Sequence, residues 1–183
     1  MTHVTLAVTG SISAYKAADI TSQLGKLGYD VSVLMTEAAS HFITPLTLQV
    51  LSKNPVSLDL MDEPRPDKVN HIEIGKETNL FLVAPATANT IAKLANGLAD
   101  NMVTATALAL PSHVKKAIAP AMNTKMYENP LTQHNLERLK KFGWEIIEPR
   151  EATLACGDHG TGALADVNTI IEKVKEIINE KTV

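Results

Sequence analysis

Apolar side chains along this chain follow two alternating patterns. Residues 4–8, 30–35, 80–84, 116–119 and 144–147 are short, nearly continuous apolar runs. Between them, apolar positions recur at helical spacing. Ile12, Ala17, Ile20, Leu24 and Leu27 lie three to five residues apart, and Gly28 can end that helix. Thr44-Pro45 opens a second helix running to about Leu51, since proline is tolerated in a first turn. An alanine-rich helix follows residue 90, and helical patterns cover 100–110, 131–141 and 167–178. Strands that are apolar throughout, rather than alternately, are buried on both faces, as in a parallel sheet covered by helices. The pattern therefore predicts an α/β fold: a three-layer Rossmann-like (flavodoxin-like) domain with a mostly parallel sheet. It spans residues 1–183 as a single domain, with a charged, proline-containing surface loop at 59–69 and no repeat.

Ligands of such sheets bind outside the carboxyl ends of the strands, and the unusual residues collect there. The turn Gly10-Ser11-Ile12-Ser13 joins the first strand to the first helix. Free N–H groups, two hydroxyls and a missing Cβ suit an anion there, although a serine that only caps the helix explains the turn equally well. It is neither a G-x-G-x-x-G fingerprint nor a Walker loop. Pro85-Ala86-Thr87-Ala88-Asn89-Thr90 repeats the logic at the third strand, with the same capping alternative. At the fourth strand, Pro120-Ala121-Met122-Asn123 offers an amide able to recognise a carboxylate, or an ordinary turn residue. Met122 and Met126 read as core fillers.

Residues 153–164 have neither helical nor strand period. They hold the only cysteine, Cys156, with Gly157, Gly160 and Gly162. Such a loop is either functional or a linker carrying an inert thiol. His71 follows the surface loop and is a candidate proton carrier. The six histidines and Cys156 show no metal-ligand spacing, so no metal is expected. No hydrolase triad or Gly-x-Ser-x-Gly motif is present.

Composition narrows the classes. Apolar residues at 45% exclude disorder, and aromatics at 4% leave a mainly aliphatic core. A net charge of −3 without a basic stripe argues against nucleic acid. One cysteine excludes a disulfide framework. No apolar run approaches the ~20 residues of a membrane span, and the N-terminus lacks a signal pattern. A cytoplasmic domain is expected.

Five segments together resemble the homo-oligomeric flavin-containing cysteine decarboxylases over essentially the whole chain. They are Thr9-Gly-Ser-Ile-Ser-Ala-Tyr-Lys16, His71-Ile72, Pro85-Ala-Thr-Ala-Asn-Thr90, Pro120-Ala-Met-Asn-Thr-Lys-Met126 and Ala155-Cys-Gly-Asp-His-Gly-Thr-Gly162. The chain departs from the family's usual pattern in three places. Thr87 stands for a serine, Tyr127 for a tryptophan, and Gly162-Ala163-Leu164 for the Gly-Arg-Met of many fused bacterial members. The last leaves open which group meets the substrate's charge.

The resemblance implies FMN and a small-molecule substrate. The implied reaction is decarboxylation of phosphopantothenoylcysteine to phosphopantetheine in coenzyme A biosynthesis, through thioaldehyde and enethiolate intermediates. It implies a stand-alone decarboxylase without the fused synthetase domain, assembled as a homotrimer or a dodecamer of trimers. Gly10, Ser11, Ile12, Ser13, Ala86, Thr87, Asn89 and Thr90 would hold the flavin mononucleotide, with Thr36 and Phe42 flanking it. Catalysis would fall to His71, Cys156 and Asn123. His71 would act on the substrate thiol and carboxylate, in some arrangements at a neighbouring subunit's flavin. Cys156 would be the acid. Asn123, Met126, Ala155 and Gly157 would line the substrate pocket, with 153–164 a flap whose glycines serve opening and closing.

Two related readings carry the same fold: a peptidyl-cysteine decarboxylase of a lantibiotic precursor, and a non-enzymatic FMN-binding phosphatase regulator. Regulators commonly carry acidic tails, whereas this chain reads Glu180-Lys181-Thr182-Val183. A flavin prenyltransferase would lack the Pro-x-Met-Asn motif and the cysteine flap.

Overall fold

A computed structural model describes residues 1–180; the tail residues 181–183 lie outside the described residues. Six strands form a wholly parallel sheet: β1 (His3–Val8), β2 (Asp30–Met35), β3 (Val56–Ser57), β4 (Leu80–Ala86), β5 (Lys115–Pro120) and β6 (Trp144–Ile146). Their order is β3-β2-β1-β4-β5-β6, the arrangement of doubly wound dinucleotide folds. Without the two-residue edge strand β3 it becomes the flavodoxin order. The chain reverses direction across the sheet between β1 and β4.

The apolar runs are buried on both faces, as their continuity requires. Val4, Leu6 and Val8 of β1, with Leu80 and Leu82 of β4, pack in one core beneath helices α1 (Ala17–Lys26), α3 (Pro45–Ser52) and α9 (Val167–Asn179). Ala7, Phe81, Val83 and Ile118 face the other core, beneath α5 (Ala88–Asn96), α6 (Met102–Leu108) and α8 (Pro130–Lys141). There Phe81 meets Trp144 edge to face at 6.2 Å between ring centres. Shorter helices α2 (Glu37–Ser40), α4 (Asn70–Glu77) and α7 (Thr124–Glu128) fill the connections.

Several expectations change. The first helix begins with a 3-10 turn, Ile12–Lys16, before α1 proper. That tighter winding rotates Ile12 out of the buried stripe, so it stands 60% exposed, and Leu27 at the C-cap is also exposed. Two residues of β3 and the single turns of α2 and α7 are too short to leave a period. The glycine loop is not irregular: Arg150–Thr153 (β7) pairs antiparallel with His159–Ala163 (β8), making a hairpin whose tip carries Cys156.

Two of the hairpin's glycines are required by packing. A Cβ on Gly162 would come within 2.3 Å of the Met122 carbonyl oxygen, and one on Gly160 within 2.7 Å of Thr124 Oγ1. Both residues are small because β8 lies directly against the turn after β5, where the Met122 N–H donates to the Gly162 carbonyl (2.9 Å). The hairpin is thus seated on the end of β5 through backbone contact.

One side chain ties the two central strand ends together. Thr9 is fully buried. Its hydroxyl donates to the Pro85 carbonyl (2.7 Å) and accepts from the Thr87 N–H (3.0 Å), clamping the turn after β1 to the turn after β4.

Thr9→Val keeps the shape but orphans a buried carbonyl and N–H. It should cost about 1–3 kcal/mol in urea unfolding, because desolvated groups lose their partner; an unchanged midpoint would contradict the clamp. Gly162→Ala should lift the hairpin from Met122, at an overpacking cost of roughly 1–3 kcal/mol, and speed limited proteolysis at residues 153–159. Wild-type resistance would mean that the seat at Met122 does not hold the hairpin.

Candidate active site at the carboxyl ends of the strands

Two cavities meet at the turn after β1. The first, about 430 Å³, is lined by Gly10, Thr36, Glu37, Ala38, Thr87, Asn89, Thr90, Lys93, Asp100 and Asn101. It is built from helix entries. Thr36 caps α2 by accepting from the Ala39 N–H (3.3 Å), and Thr87 caps α5 by accepting from the Thr90 N–H (3.2 Å). The capping alternative is therefore correct as geometry, yet it leaves ligand binding available. A cap uses an oxygen lone pair, and the hydroxyl proton remains to donate. Thr87 gives its proton to Thr90 Oγ1 (3.2 Å), which in turn frees the Thr90 proton for a ligand. Lys93 is committed elsewhere, to the Asp100 carboxylate at 2.6 Å and 2.9 Å. That hydrogen bond holds the Asp100 pKa below the ordinary carboxylate value.

Gly10 lines this cavity and is also needed for packing. A Cβ would meet Ala38 Cβ at 2.5 Å, so its smallness lets α2 close against the β1 turn.

The second cavity, about 410 Å³, lies between the 3-10 turn and the hairpin. Ser11, Ile12 and Ser13 form one wall, Met122 and Asn123 the floor, and Ala155, Cys156 and Leu164 belong to the hairpin side. Ser11 accepts from the Ser13 N–H (3.2 Å) and keeps its own proton for a ligand. Asn123 is the junction. Its carbonyl oxygen caps α7 by accepting from the Lys125 N–H (2.9 Å). Its Nδ2 donates to Cys156 Sγ (3.2 Å) and to Asp158 Oδ2 (3.3 Å). The amide thus already holds a carboxylate, supplied by the flap itself, beside the only thiol. Nearby, the Tyr127 hydroxyl donates to Glu148 Oε2 (2.8 Å), and burial together with that carboxylate pushes its pKa up to about 12. Tyr127 therefore remains a neutral donor.

The structure does not bring every candidate together. Phe42 and Met126 are about half exposed and line neither cavity. Ala86 is buried in the core and contributes only backbone, its carbonyl accepting from the Ala121 N–H (3.0 Å). Gly157 sits in the hairpin tip with φ +88°. His71 occupies the first turn of α4, at the carboxyl end of the sheet, since a crossover helix runs against the strands. It lines neither cavity, and its Nδ1 is buried without a hydrogen-bond partner among the described residues.

Other residues outside the candidate set enter the site: Thr9 as the clamp, Met122 lining the flap cavity while also packing against the core, and Lys16 and Arg150 in the same wall. Thr9 was visible as the first residue of a resembling segment but not as a clamp, and Arg150 only as a charge before the loop. Among the described residues no cluster of His, Cys, Asp and Glu could hold a metal ion, and no helix is long and apolar enough to cross a membrane.

Comparison with known proteins gives this arrangement a family. The chain is 63% identical over 173 residues to a protein of Streptococcus mutans serotype c named probable phosphopantothenoylcysteine decarboxylase, covering 94% of this chain and 97% of that one. It is 44% identical over 180 residues to the coenzyme A biosynthesis bifunctional protein CoaBC of Bacillus subtilis, covering 98% of this chain and 44% of that protein. The chain thus spans less than half the length of that bifunctional relative. Among solved structures, a cysteine-to-serine mutant of PPC decarboxylase complexed with pantothenoylaminoethenethiol aligns with a TM-score of 0.87 at 32% identity, covering 98% of this chain and 99% of that one. The FMN-dependent cysteine decarboxylase SpaF aligns with a TM-score of 0.84 at 28% identity, covering 98% of each. A family model described as Flavoprotein matches residues 1–179, a span that takes in all three strand-end turns and the cysteine hairpin, and the chain belongs to the flavoprotein family.

Proposed function

We propose that this chain is a carboxy-lyase that uses FMN to decarboxylate phosphopantothenoylcysteine to phosphopantetheine in coenzyme A biosynthesis. The observation that carries this reading is the Asn123 amide, which lines the cavity beside the Ser11–Ser13 turn and donates at once to the Cys156 thiol and to the Asp158 carboxylate of the hairpin.

The residues fit the cofactor. A mononucleotide needs donors for a phosphate and ribityl hydroxyls, and the first cavity supplies hydroxyl protons from Thr36 and Thr90 and an amide from Asn89. Ser11 and Ser13 extend that donor set into the second cavity. Bound FMN supplies a reversible two-electron sink for the thiol-bearing carbon of the substrate.

The chain's own groups have four tasks. The first is to hold the substrate carboxylate, and Asn123 does so in place of Asp158. The second is to accept the thiol proton as its carbon is oxidised to a thioaldehyde. The carboxylate then lies β to a C=S group, and CO2 can leave to give an enethiolate. His71 takes this proton. The third is to return a proton to carbon when the hydride comes back, a task for Cys156, held by Asn123 at 3.2 Å. The fourth is to exclude water, which the hairpin does when it lies on Met122.

His71 stands at the right end of the sheet but outside both cavities, and this supports a shared site in a homotrimer or a dodecamer of trimers. Leu46 and Val50, on one face of α3 and 66% and 67% exposed, give an apolar surface for a neighbour. The cytoplasm is the compartment we assign, which suits a free, exposed thiol.

The purified protein should carry flavin and release CO2 and phosphopantetheine in equal amounts; a colourless protein releasing no CO2 would end this reading. Cys156→Ser should still reduce flavin and lose CO2, but accumulate the enethiol product, with turnover down by about 10²–10⁴ for loss of a general acid. Normal turnover would remove Cys156 from the proton step. His71→Asn should instead abolish flavin bleaching by substrate, and wild-type bleaching in stopped flow would remove His71 from the site.

A further inference from the structure

The flap cavity has a charge character that the decarboxylation does not use. Its only charged lining side chains are Lys16 and Arg150, and no carboxylate lines it, although the chain as a whole carries a net charge of −3. Lys16 is half-buried at the end of the 3-10 turn and makes no ion pair with a carboxylate among the described residues. Arg150 is held in place from behind. Its Nε donates to the Leu164 carbonyl (3.2 Å) and pairs with Asp166 Oδ1 (3.3 Å), while its terminal NH2 groups make no hydrogen bond among the described residues. A guanidinium fixed at Nε with its fork unused is arranged to receive an oxyanion.

We propose that Lys16 and Arg150 form the subsite for the terminal phosphate monoester of the substrate, and so select a phosphopantothenoyl tail over a peptide. The inference rests on the decarboxylase reading above and adds to it the group that recognises the far end of the substrate.

Length supports it. Arg150 stands at the base of the hairpin, paired with Ala163, and Cys156 lies beyond the last pair, Thr153 with His159. Four strand steps from Arg150 to Leu154 span about 13 Å at the usual rise per residue. In phosphopantothenoylcysteine about eleven bonds separate phosphorus from the cysteine Cα, which extended covers roughly 13 Å at the reach of a polypeptide of equal bond count. A substrate whose cysteine meets Cys156 and Asn123 at the tip therefore reaches Arg150 with its phosphate when it lies along the hairpin. The same position explains how Ala163 can stand where fused relatives carry an arginine: the cation is on the opposite strand, as the cross-strand partner of Ala163. A peptide tail has no fixed dianion at that distance and gains nothing from the pair.

The test compares phosphopantothenoylcysteine with pantothenoylcysteine as substrates of wild type, Lys16→Gln and Arg150→Gln, all purified with flavin. Wild type should prefer the phosphorylated substrate through KM. Each variant should lower that preference by about tenfold, as removal of one charge-assisted contact does. Calorimetry should show the same loss of discrimination between phosphopantothenate and pantothenate. Arg150 also ties the hairpin base, so Lys16→Gln, which breaks no side-chain hydrogen bond or ion pair among the described residues, is the decisive variant. An unchanged preference, or equal losses on both substrates, would overturn the phosphate subsite while leaving the decarboxylase reading intact. Loss of bound FMN from Lys16→Gln would overturn it by assigning that lysine to the phosphate of the cofactor. Wild-type inactivity on both substrates would overturn the function itself and this inference with it.

Discussion

The buried hydroxyl of Thr9 is the point on which this site depends. A parallel sheet leaves its strand ends as separate turns, and at the place where strand order reverses, those of β1 and β4 diverge into different helix layers. A single oxygen that donates to Pro85 and accepts from Thr87 fixes their separation. From there the connection is backbone to backbone: Ala121 N–H to the Ala86 carbonyl, then Met122 N–H to the Gly162 carbonyl. Three strand ends and the hairpin are thereby joined in one hydrogen-bonded series. Because each link is buried or pressed against its neighbour, the donors aimed at a ligand keep their positions before it arrives, and little reorganisation is left for binding.

The same series explains why the site has two chambers. Helix entries on one side of the β1 turn offer hydroxyl protons and amides, suited to the polar chain of a mononucleotide. On the other side, a 3-10 turn and a hairpin enclose a slot with a thiol and an amide at one end and two cations in its wall. The capping hydroxyls serve both structure and ligand, since a cap consumes only a lone pair. Within one protomer the histidine and the thiol are not brought together: His71 is at the correct end of the sheet and in neither chamber, and its Nδ1 has no hydrogen-bond partner among the described residues. The oligomer we propose supplies that base across a subunit boundary.

Much of this was legible from the residue pattern, for identifiable reasons. Continuous apolar strands announce burial on two faces, and helices with strong caps announce their starts, so the layers and the location of the site at strand ends follow directly. Local features that depend on tertiary contact did not announce themselves. Gly160 and Gly162 read as flexibility, but their lack of side chains is what lets β8 pack on Thr124 and Met122. Gly10 read as an anion cradle, and its packing against Ala38 was not legible in the turn. Ile12 read as core, and a tight first turn moved it to the cavity wall. The clamping role of Thr9 carried no signal, because a threonine closing a strand is ordinary until its two partners, more than seventy residues away, are seen.

The central claim is that the chemistry is divided, with the acid and carboxylate holder in one protomer and the base from its neighbour. Mixing the inactive variants His71→Asn and Cys156→Ser, with dissociation and reassembly, tests it most directly. If the site is shared around a closed ring, random assembly should restore about a quarter of wild-type turnover, since that share of interfaces pairs an intact His71 with an intact Cys156. If each protomer holds a complete site, the mixture should stay as inactive as its parts.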